Sequence, residues 1–407
     1  EHPSANIQRA GPQAFLMTLI DPDLLLRDAI SALRSHRPED ALELLDQITA
    51  AGRGNAAVWL AVAMTHNGLG NPARELAALN EALKLEPRNL RALIMTGDNL
   101  AAAGDGRAAC IYYDAVGKIA AMQPPADQGL AAQVTRARRL ALEYGAEFEN
   151  HLLATMAAEG VDQPGARRVR ESLDLMLGKR QIYLQQPRHY YFPELPNIAW
   201  AERAAFPWLA EVEAATDAIR GELGQVLQDG AAFAPYLEPE PNRPVFAETR
   251  GMLDNPAWSS FYLWKSGAPV PENIARCPSV MAALENAPLC KIAGRTPSVF
   301  FSLLQPGAHI QPHHGFTNAR YICHLPLIVP DGCAMRVGAE TRPWAQGEAC
   351  IFDDSIEHEA WNKHPDALRV VLIFDIWRPE LRETERSLVS TLLQAVDSYR
   401  SPPRSVG

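Results

Sequence analysis

The chain has 407 residues, 47% of them hydrophobic and 21% charged, with a formal net charge of −10. That length and composition describe a globular protein of two domains, with no apolar run approaching the ~18 residues of a membrane-spanning helix. The acid excess argues against non-specific nucleic-acid or anionic-membrane binding, the lack of a long apolar run argues against stable membrane insertion, and six cysteines without a C-x-x-C pair disfavour a zinc ribbon or a disulfide scaffold. Reduced thiols in a cytoplasm are the simplest reading.

Residues 1–20, beginning EHPSANIQRAGPQAF, hold neither an initiator Met nor an apolar signal core and read as a trimmed, flexible start. From about residue 22 to 122 the pattern is helical, and a shift of 34 residues superimposes Asn55 on Asn89, Trp59 on Leu93, Gly70 on Gly104 and Leu85 on Ile119. Each copy reads as helix, Gly-centred turn, helix and proline stop, with a weaker copy ahead of them. These segments resemble about three tetratricopeptide repeats. Such repeats stack into a curved surface, read either as a groove for a peptide or partner or as a packing prop.

Helical pattern continues to about residue 185, and the proline- and aromatic-rich QQPRHYYFPELPNIAW marks the boundary between an α-helical repeat domain (21–190) and a second domain (191–407). One more amphipathic helix follows it. Beyond about residue 255 come short segments rich in Val, Ile, Phe and Trp, among them SSFYLWK, SVFFSLL, YICHLPLIV and RVVLIFDIW, separated by Pro or Gly turns. The expected class is therefore α+β multidomain, with tetratricopeptide-like repeats followed by a double-stranded β-helix of jelly-roll or cupin-like form.

Of the 11 histidines, six fall between His309 and His364, all inside the β-rich part. Imidazole is the commonest metal ligand, and β-barrel oxygenases join two histidines to a carboxylate on Fe(II). The carboxylate is expected two residues after the first histidine, yet that place holds Gly315 after His313 and Gln311 after His309. By the general rule the site is incomplete.

The blocks QPHHGFTNARYICHLPLIVPDGC, WAQGEACIFDDSIEHEAWN and LRVVLIFDIWRPEL together resemble the aspartyl/asparaginyl β-hydroxylase family of Fe(II)/2-oxoglutarate dioxygenases, over roughly residues 190 to 385. That resemblance implies two histidine ligands, with water in place of the carboxylate. It places His313 and His358 on iron and Asp354 against the water, the alternative for Asp354 being a turn-shaping role. It implies that Arg369 pairs with the far carboxylate of 2-oxoglutarate, Ser302 donates to the same carboxylate and His324 lies near the C1 carboxylate. Trp264 is either an aromatic of the pocket or a core residue. The cofactors implied are Fe(II), 2-oxoglutarate as cosubstrate, and O2. The expected partner is a peptide or protein substrate, hydroxylated at the β-carbon of Asp or Asn and recruited by the repeat groove if that groove binds.

Arg320, in TNARYICH, matches one family arginine that faces the substrate, while the second is replaced by Ile322. One substrate-carboxylate contact is thus missing, which leaves Asp, Asn or another acceptor open. Two other readings compete: the same chemistry on a lipid acyl chain, and a non-catalytic tetratricopeptide adaptor with a degenerate barrel. On strand alternation His314 should face away from His313. His309 should hydrogen-bond within the barrel, and His364 should sit in a loop.

Overall fold

The computed structural model describes residues 21–125, 127–230, 232–237 and 253–399, so the stretch expected to be flexible lies outside the described residues. The chain forms two compact units, the first ending at Leu173 and the second beginning at Asp174.

In the first unit α1 (Pro22–Arg34) pairs with α2 (Pro38–Ala50), α3 (Ala56–Gly68) with α4 (Pro72–Leu85), and α5 (Leu90–Ala102) with α6 (Gly106–Met122), ahead of the long α7 (Gln128–Ala158). The repeat is written into the local chemistry. Asn55 and Asn89 are both N-caps, their side chains accepting from Val58 N at 2.9 Å and Ala92 N at 3.1 Å. Pro38 and Pro72 each open the second helix of a hairpin, where a missing N–H costs nothing. The turn between hairpin helices takes a positive φ at His36 (57°), Gly70 (68°) and Gly104 (85°), one equivalent position in all three copies. Only the last two carry the glycine that this conformation favours, which is why the first copy is the weakest in sequence. Apolar side chains fill the two cores, one around the aliphatic Leu45, Ile48 and Leu79 and the other around Ile94, Val116 and the aromatic Tyr113.

The second unit is built on two antiparallel sheets. The larger has seven strands: β1 (Ala234–Pro235), β2 (Trp258–Lys265), β4 (Val299–Leu304), β11 (Arg369–Trp377), β6 (Arg320–Ile328) and β9 (Cys350–Phe352) in that order, with β3 (Ala268–Pro269) on β2. The smaller runs β5 (His309–His313), β10 (His358–Asn362), β7 (Cys333–Val337) and β8 (Glu340–Pro343). Strand alternation sorts the large sheet's side chains onto two faces. Phe301, Leu303, Tyr321, Cys323, Leu325, Leu372 and Phe374 pack with Leu209, Ile219, Leu223 and Val280 from flanking helices. On the opposite face Leu304, Ile322 and Phe352 meet Ile310, Met335, Val337 and Ala360 of the small sheet. That second face also carries the polar residues considered below.

The expected break at residue 190 falls inside the second unit. Proline and aromatic content marks that segment as the domain boundary, but its backbone is tied to the sheets: Gln186 N donates to Ser355 O (2.7 Å), Arg188 N to Gly315 O (2.9 Å), His189 N to Phe316 O (3.2 Å) and Ala201 N to Ile351 O (2.9 Å). No helix among the described residues is long and apolar enough to cross a membrane.

Candidate active site

His313 ends β5 and His358 begins β10, and the antiparallel register sets them directly opposite one another. Residues so paired share a face, and the ring centroids are 4.1 Å apart. Each ring is oriented in the same way by its own backbone. His313 Nδ1 lies 2.7 Å from Gln311 O and His358 Nδ1 lies 3.0 Å from Ile356 O. A carbonyl partner requires a proton on Nδ1, so in the neutral ring Nε2 carries the lone pair. Burial keeps both rings neutral, lowering the pKa of His313 to about 3 and that of His358 to about 4. Two adjacent neutral imidazoles with defined tautomers are suited to bind a divalent transition metal. Among the described residues no group of three or more His, Cys, Asp or Glu could hold a metal ion, so those residues offer a metal here these two histidines.

These two histidines line a cavity of about 310 Å³ between the sheets, together with Ser302, Arg320, His324, Asp354 and Arg369. At one end Arg369 is 1% exposed. Its Nη1 reaches Ser302 O and Oγ only at 3.3 and 3.4 Å, its Nε finds no acceptor, and its guanidinium lies over the Trp344 ring at 4.6 Å. No carboxylate among the described residues is paired with it, and burial lowers its pKa to about 10. A buried guanidinium without a counter-charge is costly, and a ligand carboxylate would supply what it lacks. Ser302 Oγ accepts from Trp258 Nε1 at 3.2 Å, and His324 Nδ1 is buried without a partner. This donor set fits a ligand carboxylate beside the metal, as 2-oxoglutarate would provide.

The other end holds Arg320, whose Nη2 donates to Asp354 Oδ2 at 2.9 Å and whose Nη1 donates to Asp375. Asp354 is buried and its Oδ1 has no partner. Gly315, standing where a third ligand was expected, donates its N–H to Asp354 O at 2.6 Å. A Cβ at Gly315 would lie 1.9 Å from Asp354 Oδ2, so the Asp354 side chain fills the space that a carboxylate at position 315 would need. Asp375 also accepts from Ser298 N at 2.5 Å, and burial raises its pKa against the opposing pull of Arg320.

Three expectations change. Trp264 packs against the helix-side core and is not among the cavity residues, whereas Trp258 is. A register shift between Tyr262 and Trp264 breaks the alternation of β2 and turns Trp264 to the wrong face. His314 lines the cavity although alternation put it on the far side, because β5 ends at His313 and its period ends there too. Arg320 lines the cavity as expected of a substrate-facing residue, but its Nη1 and Nη2 already donate to Asp375 and Asp354. His309 bridges to Glu359 at 2.7 Å on an exposed part of the small sheet, and His364 accepts from Ala367 N at 2.8 Å in its loop.

Sequence reasoning missed Arg188, Tyr236, Trp258 and Asp375, all of which line the cavity. Asp375 had a legible signal: an acid inside the apolar run RVVLIFDIW is costly unless paired. Arg188 had none, since its segment reads as a domain boundary.

Residues 213–379 match the family model described as aspartyl/asparaginyl beta-hydroxylase. An ornithine lipid ester-linked acyl 2-hydroxylase from Rhizobium tropici is 36% identical over 191 residues, which is 46% of this chain and 63% of that one. The aspartyl/asparaginyl beta-hydroxylase of Homo sapiens is 36% identical over 141 residues, covering 34% of this chain and 18% of its own. Aspartate beta-hydroxylase domain-containing protein 2 of Homo sapiens is 32% identical over 226 residues, 54% of this chain and 56% of its own. The chain thus spans less than two thirds of each of these relatives.

Proposed function

The C-terminal part of the chain belongs to the aspartyl/asparaginyl β-hydroxylase family, and on that premise we propose that it is an Fe(II)- and 2-oxoglutarate-dependent dioxygenase that hydroxylates the β-carbon of Asp or Asn in a peptide or protein substrate, releasing succinate and CO2. The two facing sheets are read as a double-stranded β-helix, and the tetratricopeptide-like repeats as the part that recruits the substrate.

The observation that carries the reading is the pair His313 and His358, tautomers set by Gln311 O and Ile356 O, in one cavity with the unpaired Arg369. In this reading the imidazoles hold Fe(II), which when bound with 2-oxoglutarate supplies the oxidising chemistry from O2. Arg369 and Ser302 hold the far carboxylate of the cosubstrate, and His324 lies by its C1 end. Asp354 Oδ1, buried and without a donor, accepts from a water on the open side where Gly315 leaves no ligand. Ile310, Met335 and Phe352 wall the cavity with apolar surface and limit water around the reacting carbon.

A second reading, the same chemistry on a lipid acyl chain, is favoured by the 36% identity to an acyl 2-hydroxylase and by Ile322 at the cavity wall. The adaptor reading is disfavoured because a barrel without turnover gains nothing from keeping Arg369 buried and unpaired.

Anaerobic titration with Fe(II) and 2-oxoglutarate tests the proposal. A visible charge-transfer band that needs both additions and is lost in His313→Ala supports it. Absence of the band in folded wild-type protein would sink it.

A further inference from the structure

His313 is the last residue of β5 and His358 the first of β10, so the ladder that pairs them holds each from one side only. On the other side each runs into a loop, 314–319 after His313 and 353–357 before His358. Two histidines at the end of a ladder leave their spacing to whatever holds those loops. Both loops are tied to a strap that precedes the residues matched to the family. Gln186 N donates to Ser355 O at 2.7 Å, Arg188 N to Gly315 O at 2.9 Å, and His189 N and Tyr190 N to Phe316 O at 3.2 and 3.3 Å. At the head of the strap stands Gln185, buried and not among the cavity residues. Its Nε2 donates to Asp353 Oδ2 at 2.6 Å and to Pro196 O at 3.0 Å, while its Oε1 accepts from Asn318 Nδ2 at 2.9 Å. Both amide hydrogens and the carbonyl are thus used, and the amide cannot turn over, because its oxygen would then face a carboxylate and a carbonyl. Asn318 and Asp353 are themselves 0% exposed. Asn318 closes on the strap again through Phe192 N and O at 2.6 and 2.8 Å, and Asp353 also accepts from Arg378 Nη1 at 2.9 Å and Ser355 N at 3.0 Å. They belong to the TNAR and FDDS blocks that carry Arg320 and Asp354, yet neither lines the cavity.

Resting on the dioxygenase reading above, we propose that Gln185 is a positioning residue of the metal site: its amide is a crosspiece between the loop after His313 and the loop before His358, and it fixes the spacing at which the two imidazoles are presented. A buried polar network whose members are mutually satisfied is rigid, and this one spans both loops. Groups that orient metal ligands without touching the metal carry about 10–100-fold of its affinity. The unit that holds the metal therefore begins before Gln185 rather than at residue 191.

The test uses the full chain, titrated anaerobically with Fe(II) alone and then with 2-oxoglutarate, with chemical denaturation measured alongside. Gln185→Met keeps the length of the side chain and removes its three hydrogen bonds. Leu223→Ala, cut into the core on the helix side of the large sheet, is the control for lost stability alone. In folded protein Gln185→Met should bind Fe(II) about tenfold or more weakly and shift the charge-transfer band, whereas Leu223→Ala should lower stability and leave both unchanged. Asn318→Ala breaks the same crosspiece from its other end and should weaken Fe(II) binding likewise, so it carries the test if Gln185→Met does not fold. A smaller loss in the folded variant, or an equal loss in Leu223→Ala, overturns the proposal and leaves the oxygenase reading intact. If neither Gln185→Met nor Asn318→Ala folds, the crosspiece serves the fold itself and the positioning role falls. Folded wild-type protein that gives no band sinks the oxygenase reading and this proposal with it.

Discussion

Replacing Arg369 with Met should make the free protein more stable while removing its response to 2-oxoglutarate. The guanidinium is 1% exposed and has no acidic partner among the described residues. A pKa lowered by burial from the ordinary guanidinium range to about 10 means that the charged form is disfavoured by about 3 kcal/mol. The penalty is fully present at neutral pH, because it is relieved only as pH rises past the folded value of about 10. Against it stand the contact with Trp344 at 4.6 Å, worth about 1–2 kcal/mol, and two long hydrogen bonds to Ser302 that add little. Met has a similar reach and no charge, so the net gain is roughly 1–2 kcal/mol, or about 2–8 °C in melting temperature for a unit of this size. Wild-type protein should melt higher with 2-oxoglutarate and Fe(II) present, by mass action, and the variant should not. Thermal melts of both proteins with and without the ligand measure this. A variant that melts below wild type, or that keeps the ligand-dependent rise, would refute the assignment of Arg369 as a charge held in waiting for a carboxylate.

Asp353→Ala breaks a fully buried pair in which Arg378 Nη1 lies 2.9 Å from Asp353 Oδ2 with both side chains 0% exposed. Glu380, at 3.0 Å from Arg378, keeps part of the compensation, so the loss should be about 3 kcal/mol, the low end for such pairs, by chemical denaturation; a loss below about 1 kcal/mol contradicts the accounting. Gly315→Ala drives a methyl into Asp354 and should weaken Fe(II) binding by about tenfold or more, read by metal titration, and unchanged affinity would show that Asp354 does not support the metal site. Acidification should destabilise the metal-free protein between about pH 6.5 and 4: His313, His358 and His324 are held neutral by burial, so in that range the unfolded chain binds three protons that the native state does not. Asp353, raised to about 6 by burial, and Asp375, also raised, oppose this by taking up protons in the native state, and His324→Phe should flatten or reverse the slope measured by denaturation at several pH values.

The sequence by itself determined what depends on short-range order. The 34-residue repeat was visible because N-caps at Asn55 and Asn89, first-turn prolines at Pro38 and Pro72, and left-handed turns at Gly70 and Gly104 each need particular residues at particular places. The β-rich half was visible because alternating strands between Pro and Gly turns have a local period, and the histidines were visible because their clustering needs no fold to be noticed. Only the tertiary structure decided where the period fails and which charges meet. One register shift in β2 exchanges Trp264 for Trp258 at the cavity, and the end of β5 at His313 frees His314 from alternation. Arg320 meets Asp375 because β6 and β11 are neighbours, although the two residues lie 55 apart in sequence. Arg188 reaches the cavity because the segment that carries it is hydrogen-bonded to Gly315. Caps, turns and strand period act within a few residues and leave their mark in sequence; charge compensation in a buried cavity acts across strands brought together only by folding, so the charge presented to the acceptor could not be read from the motif that contains Arg320.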